Sequence, residues 1–589
     1  MLTCAATADA ATRIASPKAK FSTAVAFDVS RPLREITPPS VLRQAAPRSA
    51  SAEPLDIRPD RGPVGVDKGF SGDAALQGSS QRRSTELSIA AIAGPMVNFE
   101  GLSNQDNFEM FGFRVAPPDP VGDVGPNHYV EMINLVYAVY DKQGALLAGP
   151  VDTGLLWSGF AVEDCTDPSG DPIVLYDQQA DRWILSQFTT RGLNPPFTAP
   201  FYNCVAISQT GDPTGAYYRY AFITQPDDVD GGYFFPDYPK YGVWKDSYIM
   251  TTRDFGFDTR YGISVYALEK KKMIEGSPKA RAVQFFLETP DFGSGIGSYP
   301  ASLIGDGLLP PDLDGNKPPR SEVPAPIVGT QDDGAFYGAT SDALNIFELS
   351  VEWKKIPIAS LTGPTQLAVA SFDSIFPCGV VAGSQPPSPR DCLPQPGITD
   401  GSRFLDILSY RQRPTHRLAY RNFGKYEALV TNQSVEAAPG VAGVRWYEIR
   451  RTQEGAYSVY QQGTYAPDDG VHRWMGSAAM DRKGNIALGY SVVNGTNVFP
   501  GIRYTGRRAR DTLGEMTLGE GTIIDGSGVQ TTTGSRWGDY TSLNVDPVDD
   551  CTFWYVNEYY AVSGFPVDPT APTTAPFQTR IASFRLPGC

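Results

Sequence analysis

The chain has 589 residues, with 50 Lys and Arg against 65 Asp and Glu, for a net charge of −15. That acidic balance excludes nucleic acid and an anionic membrane surface as partners, because both need a basic face. No run approaches the roughly 20 apolar residues of a membrane span, and 59 Gly, 50 Pro and 11% aromatic residues favour short strands and tight turns over long helices.

Residues 1–95 are rich in Ala, Ser and Pro and show little periodicity, so a mostly disordered leader is expected there. No charged-then-apolar signal opens the chain, and a secretion signal is expected to lie outside this sequence. From Met96 the texture changes to dense aromatics and strand-like alternation, and residues 96–589 form one expected domain.

Seven strand-turn-strand units follow in order. The first opens at Asp119-Pro120-Val121-Gly122-Asp123, the second at Asp171-Pro172-Ile173, and the third at Asp237-Tyr238-Pro239-Lys240. The fourth and weakest lies around Ala335–Gly338 and Asn345–Leu349. The last three start at Arg417, Arg473 and Arg536, each an arginine followed by a large apolar residue. Seven repeats of antiparallel strands predict an all-β, seven-bladed β-propeller, with six or eight blades as the neighbouring solutions. The strand Thr579–Leu586 is the expected closing element, since a closed ring leaves no sheet edge exposed.

Seven cysteines occur, without a Cys-x-x-Cys pair and with only three histidines, so no zinc or redox site is expected. Order along the chain suggests Cys165–Cys204, Cys378–Cys392 and Cys551–Cys589, one of fifteen pairings open to six cysteines. Disulfides imply an oxidising compartment: secreted, cell-surface or periplasmic. Two oxygen-rich stretches, Pro311–Asn316 and Asp227, Asp228 and Asp230, would suit one structural calcium ion. The first lacks a Glu at its twelfth position, and solvated acidic turns are the reading taken for both, so no cofactor is expected.

Four segments, Pro118–Tyr129, Phe235–Gly242, Arg417–Gly424 and Arg536–Tyr540, resemble those of a group of secreted bacterial β-propellers of a loosely sialidase-like kind. The resemblance implies the fold and an extracellular setting, and it brings no activity with it. Sialidase repeats carry Ser-x-Asp-x-Gly-x-x-Thr-Trp boxes, and this chain has none.

Blade openings converge at one mouth of a propeller channel, where a ligand is expected. On that plan Arg417, Arg473 and Arg536 come from adjacent blades, and Asp119 or Asp123, Asp171 and Asp237 face them. Two readings stay open. The arginines either bridge neighbouring blades, or they clamp an anionic group through their planar forks of donors. On the second reading Asp171 and Asp237 act as acid and base, and Asp539 or Tyr540 as nucleophile or stabiliser. Tyr238, Trp474, Trp537 and Tyr540 would stack on sugar rings. His416 and His472 would serve as bases in a lyase, or else simply hydrogen-bond at strand starts. The expected activity is a hydrolase or lyase acting on an acidic glycan. The alternative is a non-catalytic scaffold that binds a glycan, a protein or another polar extracellular ligand. A monomer is expected.

Overall fold

A computed structural model describes residues 16–36, 55–56, 69–78 and 92–589, the last span without 194–199, 225–233, 257–259, 291–296, 335–336, 379–390, 400, 408–411, 533–534 and 564–576. It is a seven-bladed β-propeller. The innermost strands are Val121–Val124, Ile173–Asp177, Phe234–Val243, Pro311–Asp314, Thr415–Asn422, His472–Met480 and Ser542–Val545. Each packs on the next, and Ser542–Val545 returns to Val121–Val124, so the ring is closed.

Burial explains why these runs lack clean alternation. A blade is sandwiched between its neighbours, so inner strands bury both faces, and Ile173-Val174-Leu175-Tyr176 is apolar throughout. The outermost strands face solvent on one side and do alternate, as in Tyr457–Tyr465 of blade 5.

Closure differs from the expectation. Gln578–Arg585 is only the third strand of blade 7, and the outermost strand is Val97–Ser103, with Phe99 opposite Ile581. The two ends of the domain thus share one blade. The leader is also partly built in. Ala26–Val29 adds a fifth strand to blade 2 and Lys20–Thr23 a fifth to blade 3. Asp73 reaches Arg445 of blade 5 at 2.8 Å, with both side chains fully buried. Edge strands bind through backbone hydrogen bonds, which need no special composition, so an Ala/Ser-rich segment can supply them.

Blade 4 departs most from the repeat. Its sheet is Ala325–Gln331, Ala343–Glu352 and Ile358–Ala368. Its innermost strand touches that sheet at Leu309 and then pairs in parallel with Leu418–Arg421 of blade 5. Pro311–Asp314, which begins like a calcium loop in sequence, is therefore a buried strand. Asp227, Asp228 and Asp230 lie outside the described residues.

The three disulfides are Cys165–Cys204, Cys378–Cys392 and Cys551–Cys589. The last joins the start of the second strand of blade 7 to the tail after its third. Cys378 and Cys392 close a loop with a sequence separation of 14. Replacing both with serine is expected to lower the unfolding free energy by about 3 kcal/mol in urea titration, from loop-closure entropy.

Candidate functional site

One backbone feature recurs in every blade. Asp119, Asp171, Tyr238, Gly305, Gln412, Met475 and Asp539 all have positive φ, between 33° and 71°. Five precede an inner strand, and Tyr238 and Met475 sit within one, each at a break in the strand register. Six of the seven carry a side chain, and non-glycine residues in this region are uncommon and gather where surrounding structure holds them. Blade 4 uses glycine, because a Cβ on Gly305 would come within 2.7 Å of the Gln412 carbonyl oxygen.

This alignment separates the three arginines that the sequence pattern groups together. Arg417 follows Gln412 by five residues, Arg473 precedes Met475 by two, and Arg536 precedes Asp539 by three. They point to three different places. Arg417 lies in the channel below the mouth, bonded to Asp312 at 2.8 Å, Asp314 at 2.7 Å and the Leu543 carbonyl. Arg473 is held by Asp469 and Glu520 within and beside blade 6, away from the mouth. Arg536 is at the mouth and pairs with Asp539. No three-arginine clamp forms, and the blade-bridging reading describes Arg417.

The mouth itself is built from six blades. Asp119 accepts a hydrogen bond from Asn134 Nδ2 at 2.8 Å, and the Asp171 amide donates to Asn134 Oδ1 at 2.9 Å. Asn134 thereby fixes two carboxylate-bearing turns at once. Tyr540 donates to Asp171 Oδ2 at 3.0 Å, and Tyr238 donates to the Asp539 carbonyl at 3.2 Å. The two tyrosine rings lie 5.1 Å apart. Lys240 Nζ sits 3.4 Å from the centre of the Tyr238 ring and 3.0 Å from that of Tyr540. Arg413 covers the Tyr238 ring at 3.8 Å and pairs with Asp306 at 3.3 Å, which also binds Arg253 and Tyr337.

Burial dominates the electrostatics here. It pushes the Asp119 carboxyl well above the usual carboxylate range, and the Asp539 and Asp171 charges push it further. Glu558 accepts from the Gly538 amide at 3.3 Å and is raised the same way, first by burial and then by Asp539. His416 is held well below the usual histidine value by burial and by the Lys240 and Arg417 charges, so its imidazole is neutral.

Asp119, Asp171, Tyr238, Asp539, Tyr540, Arg536 and His416 therefore meet at the mouth, as the sequence predicts. Asp237 is half-buried beside them and accepts from the Tyr238 amide at 3.0 Å. The remaining expected site residues lie elsewhere. Trp474 and Trp537 pack together at 5.2 Å in the core between blades 6 and 7, so neither presents a face for stacking. His472 accepts from the Ala442 amide at 3.3 Å and packs edge-on against Phe376, and burial lowers it to about 4. It is a hydrogen-bonding strand-start residue. Asp123 sits at the other end of the inner strand of blade 1 and accepts from the Val124 and Tyr176 amides. Asn134, Lys240, Arg253, Asp306 and Arg413 join the mouth without any signal in the sequence repeat. Among the described residues, Asp332, Asp333 and Asp342 bring carboxylate oxygens within 4.8 Å of one another. Backbone amides of Gly334 and Ser374 bond Asp332, and those of Asp333 and Phe372 bond Asp342.

No protein-family profile matches the sequence, and no curated protein matches it. Among solved structures the chain is similar to an endo-arabinase from Bacteroides thetaiotaomicron, at 12% identity over 58% of this chain and 95% of that one, with a TM-score of 0.27. It is also similar to a GH93 α-L-arabinofuranosidase of Fusarium graminearum and an α-L-arabinanase of Penicillium chrysogenum, both in complex with arabinobiose. Each is 10% identical over 70% of this chain and 93% of the other, with a TM-score of 0.31.

Proposed function

We propose that the protein is a carbohydrate-active hydrolase that works at the channel mouth, with Asp119 as general acid and Asp171 as the partner carboxylate. The observation that carries this is the meeting of Asp119, Asp171 and Asp539 from blades 1, 2 and 7, with Asp119 raised well above the usual range. Glycosidic cleavage needs two carboxyl groups in opposite protonation states. Burial and its carboxylate neighbours push Asp119 toward the protonated form a general acid needs, and Asp171 accepts a hydrogen bond from the Tyr540 hydroxyl. Asp539 is the third carboxylate in reach and the alternative partner.

The acidic-glycan preference loses its support, because Arg417, Arg473 and Arg536 are each bonded to carboxylates of the protein. Neutral glycans are the substrates proposed. The three disulfides support an oxidising, extracellular setting. Among the described residues no helix is long and apolar enough to cross a membrane.

One observation favours the scaffold reading: Asp119 is 2% exposed and Tyr540 fully buried, so a ligand must displace what covers them. A panel of neutral and acidic oligosaccharides separates the two. The hydrolase reading expects turnover of a neutral member, lost by about 100-fold in Asp119→Asn, the scale of general acid catalysis. Binding without turnover, unchanged in Asp119→Asn, would establish the scaffold instead.

A further inference from the structure

Lys240 stands on the inner strand of blade 3, two residues after the left-handed Tyr238, and is 1% exposed. Its Nζ lies between the Tyr238 and Tyr540 rings and meets no hydrogen-bond acceptor. An ammonium carries three donors and normally fills them. Two ring faces alone do not replace that hydration. The charges facing it come from several blades. The Asp171 and Asp539 carboxylates favour the ammonium, and Arg413 opposes it. Burial outweighs them all and holds Lys240 well below the usual lysine value. The neighbouring His416 also has a buried Nε2 without a partner.

A desolvated lysine beside another cation is the arrangement that turns an ammonium into a nucleophilic amine. We propose that Lys240 is a reactive amine that captures a carbonyl-bearing ligand, the aldehyde or ketone of a small polar molecule, as a Schiff base. The Nζ lone pair adds to the carbonyl carbon, the C=O π pair moves to oxygen, and a proton passes from nitrogen to that oxygen. The product is a carbinolamine. Asp119, which holds a proton, then protonates the hydroxyl, which leaves as water while the nitrogen lone pair forms the C=N bond. An iminium cation and an Asp119 carboxylate result, with no change of oxidation state. The two ring faces and the carboxylates of Asp171 and Asp539 then stabilise the new positive charge. This chemistry goes beyond glycan hydrolysis and holds whether or not a glycan is cleaved.

Reductive trapping tests it. The full chain is incubated with glycolaldehyde and cyanoborohydride at about pH 6.5, where ordinary lysines are protonated, and the adduct is mapped by peptide mass spectrometry. One adduct at Lys240 is expected, at least about tenfold ahead of the exposed Lys355 and Lys425. Lys240→Met removes it. If that variant fails to fold, the map of the unaltered protein decides alone, and Tyr540→Phe, which keeps the ring, retains the adduct. Lys240 left unmodified, whatever happens at surface lysines, overturns the proposal.

Discussion

Replacing Arg417 with methionine is expected to destabilise the folded protein by about 3–5 kcal/mol, seen as a lower urea midpoint at an unchanged slope. The guanidinium is 2% exposed and spans the channel from blade 5, with Asp312 and Asp314 on blade 4 and the Leu543 carbonyl on blade 7. Asp123 of blade 1 lies in its field. Methionine matches much of the volume, so the loss is one of charge rather than packing. It leaves Asp312 and Asp314 buried without their counter-charge, and an uncompensated buried charge costs more than the intact pair contributes. Adding Asp312→Asn and Asp314→Asn to Arg417→Met is therefore expected to recover part of the loss, because the stranded charges go with the arginine. A midpoint unmoved by Arg417→Met would return this residue to the role of ligand clamp. The outcome also bears on the calcium reading of Pro311–Asn316, since its first two carboxylates are already committed to Arg417.

The blade count was legible because six blades begin with a turn and an apolar run, and those signals are local; the fourth opens at Pro311–Asp314, which is not an apolar run, and not at Ala335–Gly338. Asp119, Asp171, Tyr238, Asp539 and Tyr540 were legible as residues of the channel mouth for the same reason: they stand at or beside the irregular openings. The arginines misled because residue type was matched without backbone register. Arg473 shares its following tryptophan with Arg536, yet each holds a different distance from the left-handed residue of its blade. A shift of one residue along a strand turns a side chain to the other face. Asn134 carries no local mark, and Lys240, although inside the opening run of blade 3, carries none of its burial. Asn134 is important because its amide reaches Asp119 and Asp171 from outside both turns, and Lys240 because two rings from different blades close on it. The same limit hid Val97–Ser103 and the N-terminal fifth strands, whose pairing is made by backbone groups.

Stability is expected to be greatest near pH 5 and to fall by several kcal/mol towards pH 8, through buried carboxyl groups that keep their protons. Burial raises Asp123 to about 8, Glu131 and Asp254 to about 7, and Asp152 and Asp342 to about 6. Asp119 and Glu558 are raised well above the usual range. A carboxyl of this kind holds a proton in the folded state that the unfolded chain releases near pH 4. It favours folding at low pH, and that contribution fades as pH climbs to its folded value. The histidines act in the opposite sense. His472, lowered to about 4, and His416 and His128, also lowered, cost stability below about pH 6.5 and nothing above it. Lys240, also lowered, acts in the histidines' sense up to pH 8 and beyond, so seven carboxyls stand against three imidazoles and one lysine between pH 5 and 6.5, and against Lys240 alone from there to pH 8. Glu131→Gln isolates one of them. Its Oε2 accepts from the Leu102 amide at 2.8 Å and its Oε1 from Thr579; the glutamine oxygen keeps the first, and its NH2 can donate to the Thr579 hydroxyl, which already bonds the Leu102 carbonyl. The variant is expected to flatten the decline by about 1.4 kcal/mol per pH unit between roughly pH 5 and 7, the weight of one proton. Thermal and urea unfolding across this range provide the measurement. A stability that rose from pH 5 to pH 8 would mean that these carboxyls are ionised inside the fold, and it would remove the proton that Asp119 needs to act as an acid.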